Sequence, residues 1–469
     1  MAPNTSGELN KPSNIGGVTH FQNNSLFLLN IGRFRRKLSN LSCLQKTLQA
    51  VLFADSFALP KTCPFPAFLA VLESLFCLKS TLAMTERPLK ILISRLSAHG
   101  DVLQTLPLLS RIKSHFPEAQ VGWVVEEAAE PLLAGNPLIH QLHVFKKKRW
   151  TQQLRSPKTL WAGLKNYFSF VRALRQERYQ IGFDPQGLFK SGLMLWWAGI
   201  PKRVGFDRTR EGASIFYTDT LPHHDLTNAD IPTVTLFSEF VRVLGVPVPL
   251  RFDAAAQHHE LFEFVLPPLT EQSLKKREAW FEGFNPEWPI VALAPETIWP
   301  SKHWPTAYWE TILKSILNRP LNIVIVGTDK IKVAWDQQIA DLTGADAQAQ
   351  VLNLMGQTSW PDLQAIFSVS MVFIGLDSAP LHLANATGKP YIIGLYGPTS
   401  ARRTGPIGSQ HIAIQTRLNC QPCFKKRCPL SSQTDECMKQ LLPERVLEAL
   451  DTQILRLKTQ QVLHLQEPT

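Results

Sequence analysis

Leu89-Lys-Ile-Leu-Ile-Ser-Arg95-Leu-Ser-Ala-His-Gly100-Asp101-Val-Leu-Gln-Thr-Leu-Pro107 is the stretch that decides the fold. It opens on a short apolar run, Leu89–Ile93, which predicts a buried strand, and passes through a turn at Gly100 into a predicted helix over Val102–Phe116. Strand, turn and helix in that order begin a parallel α/β unit. The turn lies at the carboxyl edge of the strand, where open α/β sheets bind ligands. Asp101 stands at or beside the helix start, where an acid has two uses. It can cap the helix and complement its dipole, or it can project into a cleft and take a proton from an attacking hydroxyl. The glycines of a dinucleotide fingerprint, G-x-G-x-x-G, are missing.

Working outward, the same alternation recurs. Val121–Val125 is a second predicted strand, and Ile181–Phe183 and Arg203–Gly205 are strand ends in the same half. The charged, less patterned stretch Glu260–Asn285 suits a helical connector. A second set of units begins at Pro289–Ala294 and continues through Leu321–Val326, Val372–Ile374 and Tyr391–Leu395, with helices over Pro305–Leu317 and Trp360–Phe367 and a terminal helix over Glu444–Leu457. The expected fold is therefore α/β, two Rossmann-like domains facing across a cleft. The expected divisions are an N-terminal segment 1–83, a first domain 84–255, a connector 256–287, a second domain 288–440, and a helix and tail 441–469.

The first 83 residues differ from the rest. They are polar, then basic at Arg33, Arg35, Arg36 and Lys37, then apolar with prolines. Met84 reads like a natural start, so the segment is expected to be poorly ordered or an overextended gene start, with a membrane-surface tether as the functional alternative. The chain of 469 residues carries a formal charge of +11, which fits anionic partners such as nucleic acid, phospholipid head groups, or phosphorylated sugars and nucleotides. No apolar run is long enough to span a bilayer, and the N-terminus lacks a signal-peptide layout, so a cytoplasmic protein, peripheral at most, is expected. Nothing resembles a basic helix with interleaved aromatics, so no nucleic-acid partner is expected.

Two further clusters carry chemistry. In Ala294-Pro-Glu-Thr297-Ile-Trp-Pro-Ser-Lys302-His-Trp-Pro305, which leads from a strand into a helix, Lys302 suits a diphosphate and Thr297 adds a hydroxyl; a solvated loop lysine is the bland alternative. In Gly375-Leu-Asp377-Ser378-Ala379-Pro380-Leu-His382, a helix start near Ser378 offers N–H groups and a positive dipole to a phosphate. Asp377 orients that site or caps the helix, and His382 serves it or sits in the core. Cys43, Cys63 and Cys77 are scattered, but Cys420, Cys423, Cys428 and Cys437 crowd together. Their C-x2-C-x4-C-x8-C spacing suits a structural tetrathiolate metal site, zinc or iron; four reduced thiols in a surface loop is the alternative.

Taken together, the opening stretch, Trp123-Val-Val-Glu-Glu127, Asp184-Pro-Gln186-Gly-Leu-Phe-Lys190-Ser191, Lys302-His-Trp-Pro305 and Asp377-Ser-Ala-Pro-Leu-His382 resemble glycosyltransferase family 9, the ADP-heptose:lipopolysaccharide heptosyltransferases, most closely of the heptosyltransferase I type. The resemblance runs from about Leu89 to about Leu450. It implies the glycosyltransferase-B architecture, an ADP-heptose donor, a Kdo-lipid A acceptor and inverting transfer without a metal in the chemistry. Asp101 matches the proposed base. Thr297, Lys302, Asp329, Asp377, Ser378, Ala379 and His382 match donor positions, Asp329 being shorter than the family's usual Glu and Ala379 standing where Gly is common. Lys146, Lys147, Lys148 and Arg149, read as a basic loop, and Gln186 and Lys190 match the acceptor side. Transfer of heptose to a protein, as in the iron-associated enzymes that modify autotransporters, and silent nucleotide-sugar binding are the competing functions.

Overall fold

The computed structural model describes residues 88–155, 158–209, 211–222, 231–248, 262–343, 348–430 and 434–464. The expectations placed on residues 1–83, and the domain boundary at 255–256, lie outside the described residues. Both halves of the α/β region belong to one compact unit, Arg87–Thr469.

The first half contributes β1 (Lys90–Ser94), β2 (Gln120–Glu126), β3 (Gln141–Phe145), β4 (Ile181–Asp184), β5 (Lys202–Phe206) and β6 (Asp219–Leu221). They form a parallel sheet in the order β3-β2-β1-β4-β5-β6. The second half contributes β7 (Ile290–Ala294), β8 (Asn322–Ile325), β9 (Gln350–Asn353), β10 (Val372–Leu376), β11 (Tyr391–Tyr396) and β12 (Ile412–Gln415), parallel and in the order β12-β11-β10-β7-β8-β9. The two windings are the same. In each, the first and fourth strands are neighbours whose connections leave in opposite directions, which opens a crevice at their carboxyl ends. The two crevices lie at β1/β4 and β7/β10.

Around these sheets run α1 (His99–Gln104), α2 (Leu106–His115), α3 (Lys147–Arg155), α4 (Leu160–Gln176), α5 (Phe189–Trp197), α6 (Thr233–Ser238), α7 (Glu271–Phe281), α8 (Thr306–Leu317), α9 (Lys332–Leu342), α10 (Trp360–Phe367), α11 (Ala379–Thr387), α12 (Ala401–Thr404), α13 (Glu436–Lys439) and α14 (Pro443–His464). The single helix expected over Val102–Phe116 is broken at Thr105, because Pro107 has no N–H to continue the ladder. Pro305 precedes α8 as its N-cap rather than opening it. Lys146–Arg149 is not a loop, since α3 begins at Lys147. Among the described residues of the connector only Glu271–Phe281 is helical, capped by Thr270, whose hydroxyl accepts from Ser273 N. Ser359 and Asp362 form a reciprocal capping box that starts α10 where the sequence placed it.

The central strands are buried on both faces, as a sheet covered by helices requires: β10 and β11 are buried throughout. Trp123 on β2 is the largest fully buried side chain, and its indole N–H donates to the Arg95 carbonyl at 3.1 Å. Trp123→Ala is expected to cost about 3–5 kcal/mol, read as a lower urea midpoint with an unchanged slope.

Candidate active site

The two halves meet at the starts of their first functional helices. α1 of the first half packs against α11 of the second, and Gly100 makes the approach possible. A Cβ there would stand 2.7 Å from His382 Cδ2. Gln104 Nε2 lies 3.4 Å from His382 Nδ1, tying the helices by side chains. His99 stacks on Trp360 of α10 with ring centroids 4.9 Å apart.

At the second-half crevice the residues of two sequence clusters come together. Lys302 Nζ donates to Asp377 Oδ2 at 2.7 Å and to the Asp377 carbonyl at 2.9 Å. His382 Nε2 stands 3.5 Å from Asp377 Oδ1. Asp377 is buried, which by itself would raise its pKa, but the Lys302 ammonium and His382 outweigh burial and hold the carboxyl well below the usual range. Lys302 also lies 4.7 Å from the centroid of the Trp299 ring. An ammonium has three donors, so two go to Asp377 and one is left for a ligand anion. Ser378 is the N-cap of α11 and its hydroxyl donates back to the Leu376 carbonyl at 3.2 Å. In the first turn Pro380 has no N–H, and Leu381 N and His382 N donate to the Ser378 carbonyl at 3.1 and 3.4 Å, which leaves the Ala379 N–H as the first-turn donor open to a ligand, two residues from the Asp377 that holds Lys302. Thr297 lies on the same loop, its carbonyl 2.9 Å from His303 Nε2.

Asp329 is exposed and packs against Gly356, with no bond to Lys302 or Asp377 among those the structure shows. Its neighbour Thr328 is held instead by Glu296, whose carboxylate accepts from the Thr328 N–H and, at 3.0 Å, from its hydroxyl. Glu296 was quoted in the sequence without a role.

Asp101 does not cap α1 with its side chain; the N-cap is Ala98 and the acid stands inside the first turn. Its carboxylate, 44% exposed, is paired with Arg95 Nη2 at 2.5 Å. Arg95 is itself buried, donates to the Pro185 carbonyl at 2.8 Å and lies over the Phe237 ring at 4.7 Å. The carboxylate is also felt in the other half: burial lowers the pKa of Arg403, on α12, and Asp101 opposes that. Sequence reading passed over both arginines. Arg95 lay in the quoted opening stretch, and Arg403 a few residues beyond Tyr396-Gly397-Pro398-Thr399, but neither spacing announces an interaction with Asp101.

The acceptor-side residues are only partly gathered. Lys190 and Lys147 both pair with Glu126 at the carboxyl end of β2, at 2.7 and 3.1 Å. Lys146, Lys148 and Arg149 are exposed. Gln186 turns inward, its carbonyl accepting from Leu96 N at 2.6 Å and from Ser97 N at 3.3 Å, so it fixes the loop before α1. The four late cysteines are unpaired by disulfides: Cys437 is buried and Cys420 exposed. Burial, helped by the other three thiols and Asp435, pushes the Cys437 thiol up to about 12. Among the described residues no group of three or more His, Cys, Asp or Glu side chains is placed to hold a metal ion.

With this geometry in view, similarity to known proteins is informative. The sequence profile of glycosyltransferase family 9 (heptosyltransferase) matches residues 167–433. Lipopolysaccharide heptosyltransferase 1 of Pseudomonas aeruginosa is 24% identical over 391 residues, covering 79% of this chain and 99% of its own. Lipopolysaccharide heptosyltransferase 2 of Escherichia coli K12 is 23% identical over 371 residues, covering 78% and 99%. Such nearly equal identities do not separate the heptosyltransferase types. The solved structure of E. coli heptosyltransferase WaaC with ADP superposes with a TM-score of 0.57 at 20% identity, covering 78% of this chain and all of that one. The fold is thus the glycosyltransferase-B arrangement of two Rossmann-like domains.

One motif residue is structural. Asp184, at the end of β4, is fully buried and accepts from the N–H groups of Gln186 and Gly187, each at 3.1 Å, and from the hydroxyls of Ser191 at 2.7 Å and Tyr217 at 2.8 Å. Burial nevertheless raises its pKa to about 6. A carboxyl with a raised folded pKa favours the folded state while protonated, below its unfolded pKa, and loses that contribution as pH climbs through the folded value. Asp184→Asn is therefore expected to change the pH profile between pH 4 and 6. The stability of wild type relative to the variant should fall by up to about 3 kcal/mol across that window, as read by denaturant melts at a series of pH values.

Proposed function

The chain belongs to glycosyltransferase family 9, the heptosyltransferases, and from that premise we propose that it moves heptose from ADP-heptose to the Kdo-bearing inner core of lipid A, with inversion at the anomeric carbon. The observation that carries the proposal is the meeting of α1 and α11 through Gly100 and His382. It brings an oriented carboxylate, Asp101, to the same cleft as a helix start and the Lys302 ammonium. The bound ADP named for E. coli WaaC supports the donor nucleoside. The heptosyltransferase 1 name of the Pseudomonas relative supports a lipopolysaccharide acceptor.

In this reading the acceptor hydroxyl gives its proton to Asp101 as its oxygen attacks the anomeric carbon. The bond from that carbon to the diphosphate oxygen breaks on the opposite face, and ADP leaves with the electron pair. Arg95 positions Asp101. Lys302 and the Ala379 N–H at the start of α11 receive the charge on the diphosphate, electrostatic stabilisation of the kind that preorganised donors supply without a divalent ion. Asp377 positions Lys302, and Glu296 holds Thr328 where the nucleoside end would lie. The enzyme works at the cytoplasmic face of the inner membrane, where a lipid-linked acceptor would be met.

The direct test supplies purified full-length protein with ADP-heptose and Kdo-lipid A and follows product by mass spectrometry, with the new linkage read by NMR. Wild type should form product of inverted anomeric configuration. Asp101→Ala should lower kcat by about 100-fold or more while leaving the KM for ADP-heptose nearly unchanged. Near-normal turnover by the variant would remove Asp101 from the base role. A folded wild type that binds donor but glycosylates only a protein serine, or nothing, would overturn the acceptor assignment.

A further inference from the structure

The first half carries an exposed aromatic face that the cleft does not use. On α4, Trp161, Lys165, Phe168 and Arg172 recur at helical spacing and are all exposed, Trp161 at 79%. The opposite side of the helix carries Leu174, fully buried in the core of the first half, and Val171 is buried at the flank. The face continues across ring contacts: Phe168 to Trp197 of α5 at 5.7 Å, then, through the adjacent Trp196, to Phe216 at 6.1 Å, and from Phe216 to Phe189 at 5.0 Å. Trp196 is 51% exposed and Ile215, beside Phe216, 73%.

Large exposed apolar side chains gathered on one face mark an interaction surface. The charge around them says which. Residues 146–197 hold eleven Lys and Arg against two Asp and Glu. Of those two acids, Asp184 is fully buried and Glu177 lies 3.7 Å from Lys90. Glu211, just beyond, accepts from Phe189 N at 3.1 Å. Exposed cations share the aromatic helix, Lys165 and Arg172 along α4 and Lys158 just before it, while Lys147 and Lys190 are paired with Glu126. Tryptophan and phenylalanine flanked by Lys and Arg suit the head-group layer of an anionic bilayer, where ring and charge are each satisfied. Among the described residues no helix is long and apolar enough to cross a membrane, so such a face would lie on the surface rather than insert through it.

We propose that the outer face of α4 and α5, with Phe216, docks the protein on an anionic lipid bilayer. This deepens the proposed function, since a lipid-linked acceptor is presented at that surface, but it is tested by binding alone. Full-length protein is mixed with vesicles of phosphatidylcholine and phosphatidylglycerol, or of phosphatidylcholine only, and the bound fraction is read by sedimentation. Wild type should bind the anionic vesicles, more weakly as salt rises, and the neutral ones poorly. Trp161→Ser/Phe168→Ser/Trp196→Ser should weaken that binding by about tenfold or more. Lys165→Glu/Arg172→Glu, which touches no buried residue and guards against a folding defect in the first variant, should do the same. Both should keep wild-type turnover on a detergent-dispersed acceptor. Wild-type binding by both folded variants would overturn the proposal and move attachment elsewhere in the chain. No binding by wild type, or equal binding to neutral vesicles, would overturn it as well. A wild-type dimer that the variants dissociate would assign the face to a second copy of the chain instead.

Discussion

The buried ion pair between Lys302 and Asp377 is the constraint on which the rest of the site depends. Taking both charges out of water is costly, and removing either partner from such a pair commonly costs about 3–5 kcal/mol because the other is left uncompensated. Its geometry explains its place here. Asp377 ends β10, Lys302 follows β7, and the two strands flank the second-half crevice. The pair therefore closes the loop after one strand onto the turn after its neighbour. It fixes an ammonium beside the start of α11 and leaves it a donor to spare.

The same carboxylate reaches the other half through His382. That ring stands against Asp377 on one side and against Gln104 and the Cα of Gly100 on the other. A side chain at position 100 would push the halves apart, so glycine there serves the approach of two helices rather than a turn conformation. Through this contact the position of the Lys302–Asp377 pair, the proposed anion site, and that of Asp101 are set by one another. Arg95 of the same half holds the Asp101 carboxylate, which in turn favours the charged form of the half-buried Arg403 in the other half. The site is a property of the interface, and neither sheet holds it alone.

That division explains what could be read from the sequence. The central strands β1, β2, β7, β10 and β11 are continuous apolar runs buried on both faces, and each was visible as such. The edge strands β3, β6, β9 and β12 were missed: β9 is half-buried throughout and β6 shows one buried residue in three, so neither has an apolar run to find. Of the site, the residues carried by motifs were named, since Lys302, Asp377 and Ser378 follow strand ends and His382 lies in the first turn of α11 just beyond them. Arg95, Arg403 and Glu296 were not: the spacing from Arg95 to Asp101 does not announce an ion pair, and the partners of Glu296 and Arg403 are distant in sequence or in the other half. Gln186 and Asp184 show the converse. They belong to a recognisable motif, yet their polar atoms are spent on structure: Gln186 holds the loop that precedes α1, and Asp184 holds the turn that follows β4.

The measurement closest to the centre of this account is calorimetric titration of ADP into the full-length protein and into Lys302→Met. The account predicts that wild type binds ADP and that the variant, still folded by circular dichroism, binds it at least about tenfold more weakly, a loss of about 1.4 kcal/mol. Equal affinity in the two proteins would contradict the placing of the donor diphosphate at the Lys302–Asp377 pair.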